Sequence, residues 1–209
     1  DFLFSFYFRK MIPAGVLAVP SRGALNMHGS LLPAFRGRSP VNWAILKGAP
    51  CTGASLHYMT DKPDAGDLVD QEKVPIGPDD DALTVARGVT VAAVAVLARS
   101  WPKLKAGTAA RLPLALTTGS YFGGRRPEDG HIDWTRPAQE VHDLVRAVSR
   151  PWPGAFTDVF GVPVTIWKTR LVGYSGHDTF PGKVDMTERS IIVYCGDDRP
   201  VEILLARPD

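Results

Sequence analysis

The apolar run at the start of the chain constrains the fold more than any other feature. From Phe2 to Phe8 every residue except Ser5 is aromatic or aliphatic. Strands with both faces buried, as in a parallel sheet covered by helices, carry continuous apolar runs, whereas half-exposed strands alternate apolar with polar residues. The run therefore predicts a strand buried on both faces, in an α/β fold with a mostly parallel sheet.

This run also begins at the first residue of the sequence, and a natural domain rarely opens inside a strand. We therefore expect the N-terminal part of the domain to be missing from the sequence. The chain ends as abruptly at Asp209, which leaves a truncated C-terminus open as well. The residues neither indicate nor exclude a domain that follows.

The composition narrows the class of protein. Apolar residues make up 44% and charged residues 22% of the 209 residues, which is typical of a globular protein that buries a core. The formal net charge of +2 provides no general basic field for nucleic acid. Cys51 and Cys195 have no metal-like spacing and favour a reducing, cytoplasmic compartment. No segment is expected to reach the ~18 apolar residues of a membrane span.

A short apolar segment from Gly23 to Leu25 is predicted as a buried strand that ends in Asn26 and His28. Side chains two positions apart on a strand share a face, so we expect this amide and imidazole to project together. The imidazole can move a proton near neutral pH, and the amide can donate to an oxyanion. The pair is therefore a candidate catalytic site, although such side chains often only satisfy backbone groups.

Beyond this strand, helical and strand patterns alternate, which supports an α/β domain. Pro102 is expected to bend or end the longest helix, because proline removes a backbone donor and its ring clashes with the preceding turn. The predicted elements are a helix from Pro40 to Gly48, strands over 52–59 and 67–76, a helix through 83–97 and a helix over 137–148.

Two loops carry further candidate residues. Asp64 lies in the tight loop 60–66, where aspartate serves either the turn conformation alone or proton transfer as a carboxylate. Arg125 and Arg126 are adjacent in a segment rich in glycine and proline. Their guanidinium groups match the oxygens of a pyrophosphate, but they could equally be solvated surface charges.

The segment Pro151–Gly154 breaks the helical pattern and predicts a domain boundary. The first domain, residues 1–154, is predicted to be the catalytic α/β domain. The second, residues 155–209, contains five short apolar runs separated by glycine and aspartate. This pattern predicts a small β-rich, OB-like subdomain, a fold that does not by itself assign a function.

Several motifs together resemble the formyltransferases that use 10-formyltetrahydrofolate. The most specific is the string from Asn26 to Pro33, Asn-Met-His-Gly-Ser-Leu-Leu-Pro, with Arg36-Gly37 after it and Asp64-Ala65-Gly66 further on. The likeness covers most of the chain and includes segments 38–43, 52–59, 122–127 and 146–156. It is strongest to the domain that formylates UDP-4-amino-4-deoxy-L-arabinose in lipid A biosynthesis, a pathway of lipopolysaccharide modification and antibiotic resistance.

The resemblance implies a partial Rossmann-like domain with a catalytic set of Asn26, His28 and Asp64. Asn26 would donate to the oxyanion of the tetrahedral intermediate. His28 would stabilise that charge and protonate the leaving folate nitrogen, and Asp64 would accept a proton from the attacking amine. His57 is interpreted as structural or folate-side support.

The same resemblance implies 10-formyltetrahydrofolate as co-substrate, no metal, and a nucleotide-linked 4-amino sugar as acceptor. Possible associations are a homo-oligomer and a fusion to a decarboxylase domain. The residues expected to bind folate are Lys10, Met11 and Ile12 through their backbone, with Arg38, Thr60, Asp61, Lys62, Pro63 and Asp64. The residues expected to contact the acceptor are Ser30, Arg125 and Arg126.

Two other functions remain open. Methionyl-tRNA formyltransferase shares much of the pattern, but residues 155–209 hold six Arg or Lys against eight Asp or Glu. A slightly acidic region disfavours binding of a phosphate backbone. The other alternative is a non-catalytic folate- or nucleotide-binding module, against which stands the presence of all three residues of the catalytic set.

Overall fold

The computed structural model describes residues 1–8, 10–173 and 179–208. It divides into two compact units, which are described separately. The first unit comprises Asp1–Ala44, Ala49–Ile76 and Thr84–Gly124, and the second comprises Ile45–Gly48, Gly77–Leu83 and Arg125–Asp209.

The helices and strands follow the predicted alternation closely. Their bounds are β1 Leu3–Phe6, α1 Ala14–Leu17, β2 Ala24–His28, β3 Arg36–Gly37, α2 Pro40–Leu46, β4 Cys51–Tyr58, β5 Leu68–Pro75, α3 Ala82–Ala106, β6 Tyr121–Phe122, α4 Ala138–Val148, β7 Ala155–Val159, β8 Val162–Leu171, β9 Val184–Met186, β10 Ile191–Tyr194 and β11 Pro200–Pro208.

The first unit is built on a four-stranded sheet in the order β1-β2-β4-β5. The α/β class is confirmed, but within this sheet only β1 and β2 pair in parallel, while β2/β4 and β4/β5 are antiparallel. The expectation of a mostly parallel sheet is therefore wrong for these four strands. For β4 and β5 the reason is the short connection between them, residues 59–67, because a parallel pair needs a crossover of a dozen or more residues.

Strand β1 is less buried than its apolar sequence predicts. Among residues 3–6 only Ser5 is buried, and the side chains of Phe6, Tyr7 and Phe8 are 47%, 70% and 59% exposed. The expectation of burial on both faces is wrong, because β1 pairs only with β2 among the described strands. Phe2 and Phe4 nonetheless pack edge-on against Trp101 of α3.

Pro102, expected to bend or end the longest helix, does not end it, because α3 continues through Pro102 to Ala106. Pro102 lies on the exposed side of the helix. Proline has no backbone N–H, so the carbonyl one turn earlier in the helix loses its hydrogen-bond donor. Water can solvate that carbonyl on the exposed side of the helix. The helix ends instead at Gly107, whose φ of 73° is the left-handed conformation of a helix C-terminus.

By length and composition alone α3 could cross a membrane, and the core helix of a soluble protein passes the same test. Val89, Val96 and Leu104 are buried on its inner face. On the β5 side, Arg99 donates to Asp70 at 2.5 Å. Only 28% of the apolar window in α3 is buried, however, and the lack of a membrane span stays a prediction.

Gly53 in β4 provides a test of packing in the first unit. A Cβ at this position would lie 2.1 Å from the carbonyl oxygen of Glu72 and 2.6 Å from the Leu31 side chain. We expect Gly53→Ala to lower the free energy of unfolding by about 1–3 kcal/mol, since overpacking forces the backbone to shift. Urea unfolding measures this loss.

Gly15 in α1 is the matched control, because a Cβ there meets nothing within 4 Å. Gly15→Ala should leave stability unchanged or raise it by a few tenths of a kcal/mol, roughly, through helix propensity. Equal effects of the two substitutions would contradict the close approach of β5 to Gly53.

The second unit contains a five-stranded antiparallel sheet in the order β7-β8-β11-β10-β9, with α4 packed on β8. The predicted five-stranded region is confirmed. The compact units, however, divide at residues 124 and 125 rather than at the predicted boundary of 154. Helix α4 lies before 154 yet belongs to this unit, because Val141 and Val145 bury their side chains beside the sheet.

Candidate active site

Strands β2 and β4 bring the central residues of the site opposite each other. In their antiparallel register, Asn26 pairs with His57 and His28 pairs with Ser55. Residues directly opposite on adjacent strands present their side chains on the same face of the sheet. The sheet therefore sets the amide of Asn26 beside the imidazole of His57, with His28 two residues further along β2.

His28 is 6% exposed and its ring is held by the backbone. Its Nε2 lies 2.9 Å from the carbonyl oxygen of Phe35, so in the neutral ring Nε2 carries the proton and Nδ1 has a lone pair. Nδ1 lies 3.5 Å from Oδ1 of Asp64. Burial lowers the pKa of His28 below its ordinary value, although the Asp64 carboxylate and the Phe35 carbonyl oppose this shift.

Asp64 is held at both of its oxygens. Oδ2 accepts a hydrogen bond of 2.8 Å from the Gly37 backbone N–H, and Oδ1 lies 3.5 Å from both His28 and His57. Burial raises the pKa of the carboxyl, but His57, His28 and the Gly37 N–H outweigh it, so the pKa lies below its ordinary value. The φ of 49° at Asp64 is a left-handed conformation that aspartate tolerates.

The structure thus brings together the three residues of the predicted catalytic set. Asp64 lies beside His28, and Asn26 is linked to them through His57, whose Nε2 is 3.3 Å from Asn26 Nδ2 and 3.5 Å from Asp64 Oδ1. A carboxylate paired with an imidazole can exchange a proton with a bound molecule, and a neighbouring amide N–H can stabilise negative charge. The catalytic role of the set stays a prediction.

The backbone donor to Asp64 is positioned by a small aromatic cluster. Phe122 stacks on both Phe35 and Trp43, with ring centroids 5.7 Å and 4.7 Å apart. Gly37, at a φ of 98°, approaches Phe122 so closely that a Cβ would lie 2.2 Å from the Phe122 carbonyl oxygen. Only glycine therefore fits the position whose N–H holds Asp64.

The other predicted residues of the first unit differ in how far they are buried. The Ser30 hydroxyl is fully buried and donates to the Ala34 carbonyl at 2.6 Å, so it holds the loop rather than facing solvent. Residues with exposed side chains are Lys10, Met11, Arg38, Thr60, Asp61 and Lys62, and half-buried ones are Ile12 and Pro63. Their folate-binding role stays a prediction.

Arg125 and Arg126 belong to the second unit. Arg125 Nη2 donates to the Asp129 carbonyl at 2.6 Å, and the Arg126 backbone N–H donates to the Asp129 side chain at 2.7 Å. These bonds order a short 3₁₀ turn over Pro127–Gly130. The predicted role of the two arginines in acceptor binding stays a prediction.

Sequence reasoning left the place of His57 in this site open. Its ring is 1% exposed, and both nitrogens have partners. The alternation of Ser55 and His57 on β4 indicated that they share a face. That signal could not say which residue of β2 lies opposite, because the register between strands is a tertiary property.

The burial of His28 predicts how the stability of the protein depends on pH. The pKa of His28 is lower in the folded state than in the unfolded state. At pH values between the folded pKa and about 6.5, the unfolded state therefore binds more protons. The free energy of unfolding should therefore rise with pH across this window and level off above it. An NMR titration of the His28 ring should give a midpoint below 6.5, and a midpoint at or above that value would contradict the predicted shift.

Comparison with known proteins agrees with this fold. Residues 1–100 match the family described as formyl transferase, and residues 125–209 match the formyl transferase C-terminal domain. Solved structures with the same fold include the N-formyltransferase from Helicobacter canadensis in complex with folinic acid and dTDP-3-aminofucose. It has a TM-score of 0.72 and 20% identity, over 86% of this chain and 65% of that chain.

Two further structures are similar. HypX from Aquifex aeolicus in complex with tetrahydrofolic acid has a TM-score of 0.73 and 22% identity, over 100% of this chain and 36% of that chain. A 4-N formyltransferase from Francisella tularensis has a TM-score of 0.70 and 23% identity, over 79% of this chain and 69% of that chain. The chain thus spans about two thirds of the Helicobacter and Francisella formyltransferases and about a third of HypX. With both family matches together covering most of its length, the chain belongs to the formyl transferase family.

Proposed function

We propose that the protein transfers a formyl group from 10-formyltetrahydrofolate to the amine of a nucleotide-linked amino sugar. The observation that carries this proposal is the pair formed by the buried His28 and the half-buried Asp64, with the Asn26 amide linked to it through His57. Two of the similar structures support the substrates, since one holds folinic acid with dTDP-3-aminofucose and another holds tetrahydrofolic acid. The family membership supports the reaction class.

Asn26, His28 and Asp64 have different roles in the reaction. As the amine attacks the formyl carbon, a C–N bond forms and the carbonyl oxygen becomes an oxyanion. Asn26 donates an amide N–H to that oxygen, a contribution of about 3 kcal/mol in comparable sites. The neutral His28 and the ionised Asp64 form a pair that can accept a proton, because a carboxylate next to an imidazole stabilises its protonated form.

The His28–Asp64 pair then completes the proton balance. It takes the proton that the amine loses and returns one to the folate nitrogen as the bond from that nitrogen to the formyl carbon breaks. The products are the N-formyl sugar and tetrahydrofolate, with no net proton released. Asp64 keeps its orientation throughout, because the Gly37 N–H holds its other oxygen.

For the acceptor we propose a 4-amino sugar, with UDP-4-amino-4-deoxy-L-arabinose of lipid A biosynthesis as the first candidate. The support is the resemblance of the Arg125-Arg126-Pro127 and Pro153-Gly154-Ala155-Phe156 segments to that enzyme.

A cytoplasmic location is proposed from the two free thiols, Cys51 and Cys195. Association with a second copy or with a decarboxylase domain remains an expectation of the resemblance.

An assay of the full-length gene product tests this function. The purified protein is mixed with 10-formyltetrahydrofolate and, separately, UDP-4-amino-4-deoxy-L-arabinose, dTDP-3-aminofucose or methionyl-tRNA. Release of tetrahydrofolate is followed by absorbance, and the formylated product by mass spectrometry. Turnover with the UDP sugar is expected.

Each other result changes the proposal in a defined way. Turnover with the dTDP sugar alone would replace the acceptor, and turnover with methionyl-tRNA alone would replace the sugar by tRNA. Binding of the folate without any turnover would favour a non-catalytic module. Wild-type turnover also provides the reference for the variants described below.

A further inference from the structure

The ring of His57 has a defined tautomer when it is neutral. Its Nδ1 lies 2.8 Å from the carbonyl oxygen of Tyr58. A carbonyl oxygen only accepts hydrogen bonds, so Nδ1 must carry the proton. In the neutral imidazole the other nitrogen, Nε2, is then an acceptor with a lone pair and no proton.

This lone pair points at the side-chain amide of Asn26. Nε2 of His57 lies 3.3 Å from Nδ2 of Asn26, and this is the only side-chain hydrogen bond of Asn26 in the described part of the chain. The NH2 group of Asn26 can donate to the lone pair on His57 Nε2. In the flipped amide the Asn26 oxygen would face this lone pair, and the two acceptors would repel each other. A neutral His57 therefore determines which way the Asn26 amide faces.

The consequence concerns the second N–H of the amide. Nδ2 has two N–H bonds, and only one is used by His57. The other remains for a negatively charged oxygen, which is the role proposed for Asn26. Oδ1 of Asp64 also lies 3.5 Å from Nε2, and a proton on Nε2 would turn toward this carboxylate and leave no lone pair for Asn26. The inference therefore applies to the neutral ring, in which Asp64 keeps His28, at the same distance, as its proton-exchanging partner.

We propose that His57 is a positioning residue, which acts through Asn26 by accepting one amide N–H so that the other is presented to the oxyanion. It does not itself touch the reacting atoms. This inference rests on the proposed formyl transfer, because the oxyanion belongs to that reaction. The chemistry is a preorganised donor, which stabilises the transition state without reorganisation during the reaction.

Two substitutions separate the two nitrogens of the ring. Asparagine at position 57 can still donate to the Tyr58 carbonyl but has no atom near the Nε2 position. Glutamine is longer and can set its Oε1 acceptor there. We expect His57→Asn to lower kcat about 10-fold with KM changed less than about 2-fold, since an interaction made in the transition state is lost.

His57→Gln is the matched control and should stay within about 3-fold of the wild-type kcat, because the acceptor is restored. Thermal unfolding of both variants is measured alongside. A Gln variant as impaired as the Asn variant, or a wild-type kcat in the Asn variant, would overturn the proposal.

A double-mutant cycle tests whether His57 acts through Asn26. In an Asn26→Ala background the amide is absent, so His57→Asn should cause little further loss of kcat. If the two losses multiply, His57 acts independently of Asn26 and the proposal is wrong. A general weakening of the fold would also multiply and is thereby distinguished from positioning.

NMR of the wild-type protein tests the tautomer without any assay. Long-range ¹H–¹⁵N spectra of the histidine rings, with His57→Gln for assignment, should show a protonated Nδ1 and an unprotonated Nε2 at neutral pH. A proton on Nε2 would overturn the proposal. Should the wild-type protein formylate no acceptor, the proposed function fails by that result, while the spectrum still decides the orientation at His57.

Discussion

Replacing Asp64 by asparagine is expected to lower kcat for formyl transfer about 10²–10⁴-fold, the range that a general acid–base group contributes. The asparagine oxygen can still accept the Gly37 N–H, so the loop should keep its conformation. It has no charge to stabilise a protonated His28 and cannot itself take a proton from the amine. Steady-state kinetics with the acceptor that the wild-type protein formylates provide the measurement.

Asp67→Asn is a suitable control. Asp67 follows the same loop, and its backbone carbonyl, which the substitution leaves in place, accepts the Tyr58 N–H. That variant should retain the wild-type kcat. His28→Ala should lose activity to an extent similar to that of Asp64→Asn, since the two residues form one proton-exchanging pair. Wild-type turnover in either His28→Ala or Asp64→Asn would remove the proposed mechanism.

Replacing Arg146 by methionine is expected to destabilise the second unit by about 3–5 kcal/mol, the cost of leaving a buried partner charge unpaired. Asp143 and Arg146 on α4 are 4% and 7% exposed, and Arg146 Nε donates to Asp143 Oδ1 at 2.7 Å. Arg146 also donates to the carbonyl oxygens of Gly77 and Asp80 at 3.2 Å and 2.9 Å. The substitution therefore removes three hydrogen bonds at once.

Thermal unfolding measures this loss, with a shift of roughly 2–4 °C per kcal/mol for a chain of this size. The control is Arg136→Met, which breaks an exposed pair with Glu140 four residues along. Exposed pairs contribute about 0–1 kcal/mol. Equal effects at the two arginines would contradict the buried network, and Asp143→Leu combined with Arg146→Met should recover part of the stability.

Local patterns predicted most of the secondary structure because they depend on neighbouring residues. Proline at the first helical position, glycine after the last turn and the two-residue period of Cys51–Tyr58 are all readable from short windows. Pro102 shows the limit of such windows. Whether a proline ends a helix depends on where its unpaired carbonyl faces, and the packing of α3 decides that.

Burial and domain membership were less predictable. The apolar run of β1 predicts an interior strand, yet the exposure of these side chains depends on how many neighbouring strands flank them. The Pro151–Gly154 break follows helix α4 and therefore predicts that this helix belongs to the first domain. Its apolar face packs on the β-rich sheet instead, and only the sheet can decide which unit receives that face.

The sequence by itself determined the α/β class, the elements, and the presence of Asn26, His28 and Asp64 on a strand end and a loop, because side-chain period and turn chemistry are local. The tertiary structure alone decided that Asp64 faces both imidazoles and that His57 lies opposite Asn26. Strand register and loop path join residues distant in sequence, and these contacts have no local signature. The ring tautomers, and with them the direction in which a proton can move, follow from those contacts.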